Sequence, residues 1–413
     1  MRLQQKPAGA GLLFVLSCAM GVGPLLMYGL SATSSLVIDS LQITPGQFGL
    51  LAAVCFLSAG LSSGVLGRFS DQMRGRTQIC LIFGGAAASM ALAALAGNIF
   101  WLVAAAVLSG AAQAISNPAT NRLVMDHVPA QKRAGWIGVK QSGVQGSQFF
   151  AGVAFPAVAL VAGWRGIAGL SCALALVLLI VSWRLIPSGV RLSPDTGRKT
   201  GPKAGPVRLP GIVWVYTVYA LLSGFGIQAT NVYLPLFSQH DVGLSLVTAG
   251  LTAAAAGAVG VASRIVWGQR IVGKGNPFTL LIVLGLGAAT GSALLLSAGL
   301  AHSGILLWCG VLLHGAMGLA INVVVMAGML REIPSNKVGA ASGRVALGLY
   351  LGFAAGPLAM GGLLSAFSGF VAGWCVVTVV YLACAVLAGI GRLHPPSSVS
   401  FRLGAPLQFS DKN

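Results

Sequence analysis

Twelve apolar runs of about 20 residues or more decide what this chain can fold into. A helix of that length spans roughly 30 Å of hydrocarbon, where only helices and closed barrels satisfy their own backbone groups. The first six runs cover about 11–38, 46–66, 78–97, 100–123, 135–162 and 167–186. The other six cover about 211–236, 245–268, 278–299, 303–330, 338–366 and 370–391. Between the sets lies IPSGVRLSPDTGRKTGPKAGPVRLP, residues 186–210, whose Pro, Gly, Lys and Arg predict a polar linker. Arg2 and Lys6 precede the first run as in a secretory signal, but the run is long enough to predict an uncleaved first span. The expected fold is an all-α membrane protein with a six-helix bundle over 1–186, a cytoplasmic linker over 187–210, a second six-helix bundle over 211–391 and a cytoplasmic tail over 392–413.

Lysine and arginine collect in cytoplasmic loops, so their placement orients the spans. The connections 67–77, 126–134, 187–210, 269–277 and 331–337 hold fourteen of them and the tails five, whereas the alternate connections hold only Arg165. Both termini are expected in the cytoplasm, and the chain in the cytoplasmic (inner) membrane. The net charge of +18 comes from basic residues placed singly between apolar runs, which does not point to nucleic acid. The seven cysteines lie inside apolar runs without a CxxC pair and are expected to be buried free thiols. The sequence holds no metal-ligand cluster, nucleotide motif or Walker motif, so no cofactor, enzymatic activity or direct ATP coupling is expected.

One offset relates the halves. Gly49 and Gly250, Gly67 and Gly268, and Pro156 and Pro357 each differ by 201. Parallel six-helix repeats around a central cavity are a transporter architecture, so the repeat points to two pseudo-symmetric bundles and to transport.

Charge clusters in GVLGRFSDQMRGRTQ, residues 64–78, which puts three arginines and one of only seven acids between Arg68 and Arg76. Its skeleton Gly67-x-x-x-Asp71-x-x-Arg74-Gly75-Arg76 resembles the loop signature of the major facilitator superfamily, with one residue inserted between Asp71 and Gly75. The resemblance covers the whole chain: twelve spans, the 6 + 6 repeat, the basic linker and this loop. It implies a latch in which Asp71 pairs with arginines to hold a cytoplasmic gate closed, with Arg122, Asp126 and Arg133 as partners. The alternative is that these charges only anchor helix ends. In the second half, Gly268 plus four is Val272, so the acid is missing there. The drug/proton exchanger signatures also fail: Ala106 stands where those exchangers carry arginine, and GVAFPAVAL from Gly152 lacks the glycines around the proline.

Four cations lie inside predicted spans, namely Arg122, Lys140, Arg264 and Arg344, and no acid accompanies them. A charge in hydrocarbon faces a wet cavity or a counter-ion, so the missing negative charge can be the substrate's. The alternative is that the long side chains snorkel to the interface. Arginine in segment eight with a cation in segment eleven resembles oxalate/formate exchangers and monocarboxylate carriers, and that resemblance implies Arg264 and Arg344 binding a carboxylate. Polar stripes support a wet lining: Gln113, Asn117 and Asn121 in segment four, and Gln141, Gln145 and Gln148 in segment five. Helix–helix hydrogen bonding explains such stripes equally well. Tyr28, Gln228, Asn231 and Tyr350 are single mid-helix polar residues. His314, the mid-span histidine, and Asp39, at the outer end of segment one, are candidates for a coupling proton.

The expected function is secondary transport of a small organic anion by symport or exchange, with lipid and a coupling proton or ion as further partners and the monomer as the working unit. Drug or metabolite efflux by proton antiport is the alternative, and a sensor that kept the fold is a third. A cysteine replacing Ser193 in the linker is expected to resist membrane-impermeant maleimide applied to intact cells; strong labelling overturns the orientation.

Overall fold

The computed structural model describes residues 9–70, 73–186, 209–272, 276–334, 337–367 and 369–393, and every regular element among them is helical. Most of the linker and tail therefore lies outside the described residues. The first expected segment is two helices, α1 (Ala10–Ala32) and α2 (Ser34–Leu41). Thr33 leaves the helical region at φ −118° and ψ 25°, and its hydroxyl donates to Gly29 O. Helices α3 (Pro45–Ser70), α4 (Gly75–Ala94) and α5 (Ile99–His127) match segments two to four. Segments five and six share the helical stretch α6 (Ala130–Leu185), interrupted at Gly163 with φ 68° and ψ 168°, a conformation that favours glycine. The part before the break packs on α1 and the part after it on α4.

In the second half come α7 (Gly211–His240), α8 (Leu246–Val272) and α9 (Pro277–Leu300). Segment ten is broken into α10 (Gly304–Met317), a 3₁₀ turn over Gly318–Ala320, and α11 (Ile321–Glu332). Helices α12 (Val338–Phe367) and α13 (Val371–Leu393) complete the chain. Eleven continuous stretches of the described residues are long and apolar enough to cross a membrane. The break at Gly163 makes one of them two, giving twelve spans.

The halves pack alike: α1 lies on α6 as α7 lies on α12, and α4 lies on α6 as α9 lies on α13. Small residues let these backbones close up. A methyl group on Gly143 would lie 2.1 Å from Ser17 O, and one on Gly352 would lie 2.1 Å from Leu221 O. Across the seam, α3 meets α12 and α6 meets α8. Here the offset of 201 becomes spatial. A methyl on Gly49 would lie 2.4 Å from Pro357 O, and one on Gly250 would lie 2.4 Å from Pro156 Cγ. The pairs found by sequence thus touch crosswise, as a pseudo-two-fold axis requires. On that axis the Ser31 hydroxyl donates to Val232 O at 2.7 Å, and 31 plus 201 is 232.

At the end of the bundle opposite the basic connections, the seam is fastened by polar contacts. Tyr233 Oη donates to Pro45 O at 2.6 Å, and Ser35 Oγ donates to Gln239 Oε1 at 2.9 Å. The cysteines depart from expectation in part: Cys55 and Cys384 are buried, but Cys309 and Cys375 are exposed, since an apolar side chain on a span can face lipid as well as core. Gly49→Val and Gly250→Val are each expected to lower stability in detergent by about 1–3 kcal/mol through overpacking. Unchanged unfolding midpoints in both would show that the seam does not close at these glycines.

Candidate functional site

Two of the four expected intramembrane cations belong to one polar cluster that reaches the seam through Gln141. Lys140, on α6, is fully buried. Its Nζ donates to Thr120 Oγ1 at 2.7 Å and to Asn117 Oδ1 at 3.1 Å, both on α5, and lies 3.9 Å from Met20 Sδ on α1. Because an ammonium only donates, it fixes the Asn117 amide with oxygen inward. Gln141 Nε2 then donates to that same oxygen at 3.0 Å. The stripes expected on segments four and five therefore meet through Asn117 and Gln141.

Arg264 approaches Gln141 from the other half. Its Nη1 donates to Gln141 O at 3.4 Å, and its Nε donates to Leu319 O at 3.2 Å in the 3₁₀ turn. That turn explains the position. Breaking a helix frees carbonyl groups that hydrocarbon cannot satisfy. Ser263 Oγ reaches Gly315 O at 2.9 Å, and Trp267 Nε1 reaches Ala316 O at 3.0 Å. One face of α8 thus serves the broken helix and leaves the far side of the guanidinium to the seam. Tyr28 of α1 lies near Arg264.

A second polar network lies deeper in the seam. Asn231 Oδ1 accepts from Gln148 Nε2 at 3.2 Å, and His314 Nε2 donates to the same oxygen at 3.1 Å. Asn231 Nδ2 donates to Gln228 Oε1 at 3.1 Å. All four side chains are buried, and Gln148 comes from the first half while the others come from the second. Gln113 of α5 lies near Tyr350 of α12, again across the seam.

Other expected site residues lie elsewhere. Arg344 is exposed, with its guanidinium 4.9 Å from the centre of the Trp214 ring near the start of α7. The structure thus pairs Arg264 with Lys140 through Gln141 and gives Arg344 a different partner, because the register of α12 turns Arg344 away from the core-facing Ala341 and Val345. Asp39 is exposed on α2, and Asn121 is exposed on α5. Of the expected latch, Gly67 lies on α3, while Asp71 lies outside the described residues. Arg74 is the exposed N-cap of α4, and Gly75 is its first residue. Arg76 donates through Nε and Nη2 to Ile186 O, at 3.2 Å each, and stacks on Trp183. Arg133 donates to Val128 O at 2.9 Å and Met125 O at 2.8 Å, and Arg122 and Asp126 are half-buried on α5. Arg76 and Arg133 therefore serve helix-end carbonyls within the first half. Thr120, Met20 and the Leu319 carbonyl were not evident from sequence: a threonine and a methionine are ordinary in a span, and a backbone carbonyl has no sequence signal.

Comparison with known proteins fits this geometry. The family model described as Major Facilitator Superfamily matches residues 12–344. The tetracycline resistance protein, class G, of Vibrio anguillarum is 27% identical over 382 residues, covering 89% of this chain and 93% of that protein. A bacterial homolog of the human lysosomal transporter Spinster, solved inward-facing and occupied, superposes with a TM-score of 0.77 at 16% identity over 95% of this chain and 97% of its own. A D-xylose-proton symporter gives 0.74 at 16% identity over 92% and 96%.

Thr120→Val is expected to remove an acceptor from the buried ammonium and cost about 1–3 kcal/mol of stability, with Thr120→Ser restoring most of it. Equal thermal midpoints for the valine and serine variants would show that Lys140 does not depend on this hydroxyl.

Proposed function

The chain belongs to the major facilitator superfamily, and from that premise we propose that this secondary transporter carries a small organic anion, a carboxylate, through the seam between its halves. The observation that carries the reading is that Arg264 of the second half reaches Gln141, which shares Asn117 Oδ1 with Lys140 of the first half, and neither cation meets a carboxylate among the described residues. A buried cation without a counter-ion is costly, and a bound anion removes that cost. Arg264 contributes a planar fork suited to a carboxylate, and Lys140 a point charge. The Arg264 contact on Gln141 O is long at 3.4 Å, so an anion can replace it with a shorter charge-assisted bond.

Alternating access needs a seam that closes at one end while opening at the other. The fastening by Ser31, Ser35 and Tyr233 supports a state closed at the end opposite the basic connections. The latch around Asp71, Arg74, Arg76, Arg122, Asp126 and Arg133 is proposed to close the other end. His314 is proposed to carry the coupling proton, because its bond to Asn231 links it to Gln148 of the other half.

Efflux is the second reading, and its support is the tetracycline resistance relative, which aligns with most of this chain. The test is flux in proteoliposomes with labelled monocarboxylates, dicarboxylates, sugar acids and tetracycline, with and without a pH gradient. Lys140→Gln and Arg264→Gln are each expected to weaken apparent affinity for the transported anion about ten- to a hundredfold, the loss of a charge-assisted contact. Arg344→Gln is expected to leave it unchanged. Transport of tetracycline and of no anion overturns the proposal in favour of efflux.

A further inference from the structure

The glutamine face of α6 is set against a face of α8 that has almost no side chains. Gln141, Gln145 and Gln148 follow one helical stripe, and Gly257, Gly260 and Arg264 follow another. The stripes run antiparallel in register. A methyl on Gly257 would lie 2.9 Å from Gln145 O and 3.3 Å from Gln148 Cβ, and one on Gly260 would lie 3.0 Å from Gln145 Cγ. Arg264 then meets Gln141 O. The glycines bring the helices together and offer the glutamine amides nothing to bond.

The consequence is visible in the amides. Gln145 and Gln148 are 2% and 1% exposed, and the Oε1 atoms of both, and of Gln113, are shut from solvent without a hydrogen-bond partner. Buried amide groups are rarely left so, because each forfeits the solvation that it gave up. Leucine at 145 would fill the same seam without that cost. These amides form a lane along the packed seam, seven residues or about 10 Å at the helical rise, that starts at Gln141, where Arg264 donates to the backbone and Asn117 links to Lys140.

We propose that this lane takes a hydroxylated carboxylate, a hydroxy acid or sugar acid, with its carboxylate at Arg264 and Lys140 and its hydroxyls on the amides of Gln145 and Gln148. A hydroxyl donates and accepts, so it satisfies either end of an amide, whereas an alkyl or aryl chain satisfies neither. This deepens the anion reading above and rests on it.

The test compares probes matched in charge and length. Purified wild-type protein in proteoliposomes is given labelled gluconate, hexanoate, glucose and tetracycline, and binding is followed in parallel by thermal stabilisation. Gluconate is expected to be preferred over hexanoate at least tenfold, with glucose below both. Gln145→Leu is expected to lower the gluconate-to-hexanoate preference about tenfold while leaving hexanoate itself unchanged, a shift in ratio that a merely structural role would not produce; Gln148→Leu, which also loses the bond to Asn231, is expected to lower the same ratio whatever it does to the hexanoate rate. Equal handling of gluconate and hexanoate by the wild type overturns the hydroxyl inference and leaves the anion reading standing. Variants that lose both probes equally overturn the assignment to these glutamines. Transport of glucose or tetracycline, with no anion moved, overturns both readings.

Discussion

Hydrocarbon offers no partner to an unpaired carbonyl or ammonium, and this single constraint shapes every irregular point of the protein. Where α1 ends at Thr33, the threonine hydroxyl turns back to Gly29 O. Where segment ten breaks at Gly318, Ser263, Arg264 and Trp267 of α8 donate to three carbonyls around the break. Where a lysine is buried, three side chains from two helices close around it. One residue serves twice: Arg264 mends the broken helix and also reaches Gln141 across the seam.

The seam itself depends on glycine. Gly49, Gly250 and Gly257 bring backbones of the two halves close enough that one methyl group would collide with the opposite half. Such contacts are suited to a moving interface, because they hold helices in register without interlocking large side chains. Among the described residues, the polar contacts across the seam are few and separable. Those of Ser31, Ser35 and Tyr233 lie at one end, and those of Gln148 with Asn231 and Arg264 with Gln141 lie further in. A transporter that rocks two bundles against each other has to exchange such contacts at little net cost.

The relatives fix the fold and leave the cargo to the site. A homolog of Spinster and a xylose symporter share the architecture at 16% identity, and a tetracycline resistance protein shares 27% of aligned residues. The symporter and the resistance protein are named for unlike compounds, so on such a scaffold specificity has to come from side chains and not from the fold. In this chain the polar side chains at or next to the seam include Arg264, a row of amides and His314, with Lys140 just behind Gln141 and no carboxylate hydrogen-bonded to either cation among the described residues.

The sequence by itself determined the class of fold, because twelve apolar runs have few solutions in a membrane, and it determined the pseudo-symmetry, because Gly49, Gly250, Pro156 and Pro357 keep one offset. It also marked Lys140, Arg264, Gln141 and Gln145, since polar side chains inside long apolar runs are conspicuous. It left open which of them meet. Arg264 and Arg344 looked alike in composition and depth, and only the rotation of α8 and α12 in the packed bundle turned one to the seam and the other to Trp214. The break at Gly318, the part played by Thr120 and the pairing of the glutamine and glycine faces were likewise decided by tertiary structure. Helical periodicity fixes which residues share a face, but packing alone decides what that face meets.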